Sequence, residues 1–124
     1  MSDRERAWTP VILPAEYRPP AGAYSPAVRA GNMVFVSGQV PRDPRTGALV
    51  DGDVRRQTRV VFENTARVLH EAGASLADVV SVTAYLADMD DWEAFNEVYR
   101  EQFSRPYPAR TTVGADLRGV LVEI

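Results

Sequence analysis

The sequence predicts an α+β domain with the order strand-strand-helix-strand-helix-strand-strand, both helices lying on one face of a sheet. Three observations predict it. Two stretches, 53–72 and about 91–103, repeat apolar residues with the helical period. Short β-branched runs precede, separate and follow them, bounded by Gly, Pro, Asn and Asp. The chain has 124 residues, 45% hydrophobic and 25% charged, which is the size and composition of one domain with one modest core.

Residues 1–21 are expected to form an extended arm. Pro10, Pro14, Pro19 and Pro20, with Pro26 just beyond, exclude regular helix and a central strand there. Residues 22–124 form the single domain. Gly31-Asn32 is a turn pair between Ala27–Ala30 and Met33–Val36, which predicts a β-hairpin. A polar loop rich in turn residues follows, Pro41 to Gly47. Asp53 is placed to cap the first helix and Gly73 to terminate it. Val54, Thr58, Val61, Thr65, Val68, Leu69 and Ala72 share its inner face, while Arg59, Glu63, Arg67 and His70 share the outer one. There Arg59–Glu63 and Glu63–Arg67 are spaced as i,i+4 ion pairs. A strand is predicted over 78–87, then a second helix capped by Asp90 or Asp91, with Trp92, Phe95, Tyr99 and Phe103 as its inner stripe. Two strands, about 109–115 and 119–124, close the chain.

Two helices cover only one sheet face, yet Met33–Val36 and Val79–Val82 carry apolar residues on both. The simplest account is that other copies of the chain bury the second face, so a homo-oligomer is expected.

Composition narrows the chemistry. Cysteine is absent, which excludes disulfides and thiolate nucleophiles, and all 14 basic residues are Arg, which excludes Schiff-base lysine chemistry. The one histidine, His70, lies on the solvated face of the first helix, and no spacing suggests a metal site. The net charge of −3 gives no basic footprint for nucleic acid, so no nucleic-acid partner is expected. No stretch reaches the roughly 20 apolar residues of a membrane span, and the charged start Met1–Arg6 leads into no signal core. A cytoplasmic protein with no membrane partner is expected.

A few polar residues stand where chemistry could use them. Arg110 is the first charge after Pro106-Tyr107-Pro108, at the start of a strand, where it is either an ordinary surface residue or a bidentate anchor for a carboxylate. Glu123 interrupts the apolar run Val120–Ile124 and is either at an exposed edge or in a polar pocket. Asn96 stands beside the inner stripe of the second helix and needs hydrogen-bond partners there. Tyr24 offers a hydroxyl and a flat face, Ser37 ends a strand, and Gly38 permits close backbone approach.

Together these segments resemble the Rid family, also called YjgF, the reactive intermediate deaminases. The resemblance runs from about Gly22 to the end. It rests on Gly22-Ala23-Tyr24-Ser25, Val36-Ser37-Gly38-Gln39-Val40-Pro41, Asp43-Pro44-Arg45-Thr46-Gly47, the run Val79–Met89, Phe95-Asn96-Glu97-Val98-Tyr99, Pro108-Ala109-Arg110 and Val122-Glu123-Ile124. It implies a chorismate-mutase-like fold, a homotrimer with clefts between subunits, and no metal or organic cofactor. The implied reaction is hydrolysis of enamines and imines such as 2-aminoacrylate to 2-keto acids and ammonia. The implied catalytic pair is Arg110, gripping the substrate carboxylate, and Glu123, positioning water. Tyr24, Ser37, Gly38 and Asn96 match the pocket, as does Thr112, where some members carry Cys. Ala23 and Pro26 depart from the common Pro and Gln. Three rival readings are a non-catalytic keto-acid or amino-acid binding member of the same family, RNA cleavage, and chorismate mutase by fold analogy.

Overall fold

In the computed structural model, which describes residues 6–124, Gly31 and Asn32 form the predicted two-residue turn, with Gly31 in the left-handed region at φ 61°. They join β2 (Ala27–Ala30) to β3 (Met33–Val36) in an antiparallel hairpin that pairs Val28 with Phe35. Part of the arm joins this hairpin. Thr9–Pro10 is a short edge strand, β1, against β2, which suits proline because an edge need not donate. The next residue, Val11, is buried and donates its N–H to the Ala27 carbonyl.

The helix α1 (Val54–Glu71) has the predicted boundaries. The Asp53 carboxylate accepts from the Arg56 N–H at 2.9 Å, and Gly73 takes the left-handed conformation at φ 77°. Arg29 of β2 donates to the Ala72 carbonyl at the helix end. The inner face is as predicted apart from Thr65, which is half-buried, and it carries two further polar residues. Gln57 donates to the Val50 carbonyl at 2.9 Å and accepts from the Leu121 N–H at 2.8 Å, and Asn64 donates to the Arg42 carbonyl at 2.8 Å. These amides fasten the loop after β3 and the C-terminal segment onto the helix. The predicted pairing along the outer face does not form. Arg59 lies 3.7 Å from Glu101, Arg55 is 2.9 Å from Glu97, and Arg67 donates to Asn64. For Arg55 and Arg59 tertiary packing supplies partners on the second helix, while Arg67 turns to Asn64 of its own helix.

A 3₁₀ turn at Leu76–Asp78 occupies the start of the predicted strand, so β4 runs Ser81–Leu86. Its burial alternates strictly: Val82, Ala84 and Leu86 point inward, Ser81, Thr83 and Tyr85 outward. The helix α2 (Trp92–Gln102) follows a 3₁₀ turn, Met89–Asp91. Asp91 holds the N-cap position without a side-chain bond, and Asp88 instead accepts from the Asp90 N–H at 2.9 Å. The crossover through α2 returns the chain to β5 (Ala109–Gly114), parallel to β4, as a parallel pair requires. The last predicted strand shrinks to β6 (Val122–Glu123), antiparallel to β4.

The strands form two three-stranded sheets rather than one, β1-β2-β3 and β5-β4-β6. A narrow seam joins them: Gln39 and Ile124 exchange main-chain hydrogen bonds of 2.7 and 3.1 Å. Both helices pack on the same side. Phe62, Phe95 and Tyr99 form the centre of the main core with Val61, Leu86 and Val122. The Phe62 and Tyr99 rings meet edge to face at 5.7 Å. A smaller cluster under the hairpin joins Val11 and Ala27 to Val68 and Ala72. The opposite side is uncovered, with Met33, Phe35, Tyr85 and Val113 exposed there, Phe35 at 57%. The apolar second face expected from the sequence is therefore present.

Candidate active site

Arg110 sits on β5, the edge strand of its sheet, opposite Val82 in register. Val82 points into the core, so Arg110 also lies on the helix-covered side, at the sheet margin under α2. Its Nη1 donates to Asn96 Oδ1 at 2.8 Å. Its guanidinium carbon is 4.4 Å from the centre of the Tyr99 ring and 5.6 Å from those of Trp92 and Phe95. A cation over aromatic faces gains about 0.5–2 kcal/mol per good contact, more as it is desolvated. The half-buried guanidinium is thus held by an amide and three rings, and it has more N–H donors than Asn96 uses.

Trp92 is the one member of the predicted inner stripe that does not enter the core; the buried residues of α2 are Phe95, Val98 and Tyr99. At the first turn of the helix Trp92 stays 37% exposed. It lies against Arg110 instead.

A cleft of about 380 Å³ opens at this point, lined by Asn96, Tyr99, Arg100, Arg105, Tyr107 and Arg110 with Pro108. Burial pushes the Tyr99 phenol above its ordinary 10.0, and the Arg110 cation pulls more weakly the other way. The phenol therefore stays neutral and able to donate at physiological pH. Two buried side-chain oxygens among the described residues have no hydrogen-bond partner: Tyr99 Oη and Thr112 Oγ1. Thr112 is two residues after Arg110 and shares its face of β5, opposite buried Ala84. Buried hydroxyls are normally paired, so each of these has an unused hydrogen bond.

Glu123 is on the other side. It is paired in register with Tyr85, whose side chain points to the uncovered face. Gly38 lies beside it across the seam. A Cβ on Gly38 would stand 2.3 Å from Glu123 Oε1, so the carboxylate occupies space that only glycine leaves free. Tyr24 and Ser37 line a separate open groove of about 550 Å³ with Trp8, Ser25, Val28 and Phe35. Ser37 Oγ donates to the Ser25 carbonyl at 2.6 Å, which fixes its orientation, and Tyr24 is more than half exposed.

Within one chain the structure therefore brings Arg110, Asn96 and Thr112 together. It places Glu123 with Gly38 on the opposite sheet face, and Tyr24 with Ser37 in the groove. Sequence reasoning missed Tyr99, Trp92, Arg100, Arg105 and Tyr107 as neighbours of the site. Tyr99 carried a signal, standing one helical turn after Asn96, but its apolar ring assigned it to the core.

A family model described as endoribonuclease L-PSP matches residues 15–124. The chain belongs to the YjgF/Rid family. A RutC family protein of Pyrococcus abyssi is 47% identical over 116 residues, covering 92% of this chain and 91% of that protein. A protein of Dermatophagoides farinae named 2-iminobutanoate/2-iminopropanoate deaminase is 41% identical over 95 residues, 77% of this chain and 74% of that one. The crystal structure of RidA from a Psychrobacter species superposes with a TM-score of 0.84 at 39% identity, covering 93% of this chain and 94% of that one. The Rid fold is thus the one the sequence predicts, α+β with both helices on one side. Deamination is an activity named among its relatives.

Proposed function

We propose that this Rid protein hydrolyses 2-imino acids, the tautomers of 2-aminoacrylate-type enamines, to 2-keto acids and ammonia in clefts between subunits of a homotrimer. The observation that carries the reading is the guanidinium of Arg110, fixed by Asn96 and Tyr99 with donors left over. A planar bidentate donor set at a cleft mouth suits a carboxylate. Because a 2-imino acid is already electrophilic at C2, the protein needs mainly to position it. Arg110 holds the carboxylate. Water adds to C2 and gives one proton to the nitrogen, and the carbinolamine then expels ammonia as the C=O bond forms. Glu123 orients the water and takes up its proton in transit. Orientation and fixed charge account for such catalysis without a covalent intermediate.

The faces of the sheet support a site shared between subunits. Arg110 and Glu123 point to opposite sides of β5-β4-β6 within one chain, so a single substrate meets both only if they come from two copies. The uncovered face bearing Glu123, Phe35 and Tyr85 is the surface a second copy would bury. The name of the mite relative, an iminobutanoate and iminopropanoate deaminase, supports the same chemistry.

The test generates 2-iminopropanoate in the cuvette with an amino-acid oxidase and follows keto-acid formation against a competing semicarbazide trap. The wild type should accelerate hydrolysis, and Arg110→Ala should lose at least about tenfold in kcat/KM, the scale of one charge-assisted interaction. Equal rates for wild type, variant and no protein would defeat the enzyme reading. Keto-acid binding that depends on Arg110 without acceleration would leave the binding-protein alternative in its place.

A further inference from the structure

We infer that the cleft prefers a dianion: a 2-imino dicarboxylate, the imine of an acidic amino acid, with Arg110 on one carboxylate and Arg100 and Arg105 on the other. The inference rests on the proposed imine hydrolysis and names its substrate class.

Three arginines line one cleft of about 380 Å³, and among the described residues no acidic side chain lines it. Among the described residues none of the three takes part in an ion pair; the pairs run instead through Arg55, Arg56 and Arg59. Two of the three acids of α2 face α1 instead, Glu97 paired with Arg55 and Glu101 3.7 Å from Arg59. The charge left at the cleft is thus uncompensated, in a protein whose net charge is −3. Like charges gathered around one concavity raise its potential and draw in anions.

The three are not equivalent. Arg110 is immobilised by Asn96 and the rings, as a primary anchor must be. Arg100 follows Asn96 by four residues, so it stands one turn further along the same face of α2. Arg105 lines the cleft from the turn before β5, its guanidinium 5.5 Å from the centre of the Tyr107 ring. Both are exposed and bear long side chains, the form of contact that adapts to the far end of a ligand. A monocarboxylate imine satisfies Arg110 alone. A four- or five-carbon dicarboxylate satisfies the other two as well, and its second carboxylate passes through the reaction unchanged.

Two measurements on the full-length protein test this. The first compares kcat/KM for 2-iminosuccinate and 2-iminopropanoate, each generated by an amino-acid oxidase, in wild type and in the Arg100→Gln/Arg105→Gln double variant. The dicarboxylate should be favoured at least about tenfold in wild type, and that ratio should collapse toward one in the double variant. The second titrates the unreactive probes 2-oxoglutarate and 2-oxobutanoate into the same proteins by calorimetry. The dianion should bind at least about tenfold more tightly to wild type only, with the advantage shrinking as salt rises. A wild-type ratio near one, or one the substitutions do not move, overturns the inference. If wild type accelerates neither imine, the proposed function fails instead, and the calorimetric preference still decides whether the cleft takes a dianion. Should the double variant fold poorly, Arg105→Gln alone, at an exposed position, gives the same comparison.

Discussion

Gly38→Ala separates a role in chemistry from a role in folding. The backbone at Gly38 is not left-handed, so alanine fits it, and on entropic grounds Gly→Ala at a compatible site stabilises by roughly 0.4–1 kcal/mol. The new Cβ would nevertheless stand 2.3 Å from Glu123 Oε1, where ordinary contact begins near 3.4 Å. The difference, 1.1 Å, is the distance the carboxylate must retreat, and it can do so because it ends a flexible side chain. An error of about 1 Å in a catalytic group costs on the order of 100-fold, or ~2.7 kcal/mol of transition-state stabilisation. The variant should therefore melt at or slightly above the wild-type temperature while kcat/KM for 2-iminopropanoate falls about 100-fold. Keto-acid release against a semicarbazide trap reads the rate, and circular dichroism on heating reads the fold. A folded variant within threefold of wild-type activity would refute the assignment of Glu123 to the reacting water.

Three other substitutions probe the remaining parts. Asn96→Leu removes the acceptor 2.8 Å from Arg110, and a bond to a charged group contributes ~1.5–3 kcal/mol, so kcat/KM should fall tenfold or more, mostly through KM; an unchanged KM would show that the rings alone orient Arg110. Tyr99→Phe deletes a buried hydroxyl with no partner in the isolated chain and should leave the melting temperature equal or higher. Because burial raises this phenol above 10.0, the wild type keeps its full stability below about pH 10 and loses it as pH rises through the folded value. The phenylalanine variant should therefore show a flatter alkaline limb in denaturation against pH, and an identical limb would mean that Tyr99 ionises without penalty. Phe35→Glu places a charge on the uncovered sheet face and should convert the proposed trimer to monomers in sedimentation velocity, with loss of the proposed activity; an oligomeric state equal to that of the wild type would show that the face is not the contact.

Local chemistry is what the sequence disclosed best. The Gly31-Asn32 turn, the Asp53 cap and the Gly73 terminus each follow from one or two residues acting on their own backbone, and each stands where predicted. The need for a partner of Asn96 was also readable, because a polar residue beside an apolar stripe must be satisfied. The identity of that partner was not. Arg110 reaches Asn96 only because β5 lies parallel to β4 in a register set by the whole β4-α2-β5 crossover. Trp92 has the same spacing as Phe95 and Tyr99, yet helix periodicity does not say which turn of the helix the core covers. Register likewise hid the separation of Arg110 from Glu123, since the side a strand residue faces is decided by its neighbours across the ladder. Arg100 and Arg105 carry no signal in the sequence that joins them; the fold brings both to one cleft.

The exchange of two hydrogen bonds between Gln39 and Ile124 has a mechanical consequence. The hairpin unit carries Tyr24 and Ser37, the crossover unit carries Arg110, and Glu123 rides on the stitch between them. Any strain that opens this stitch by even one bond tilts the carboxylate against Gly38 before it disturbs either unit. Fraying of β6 on heating should thus extinguish the proposed imine hydrolysis well ahead of global melting.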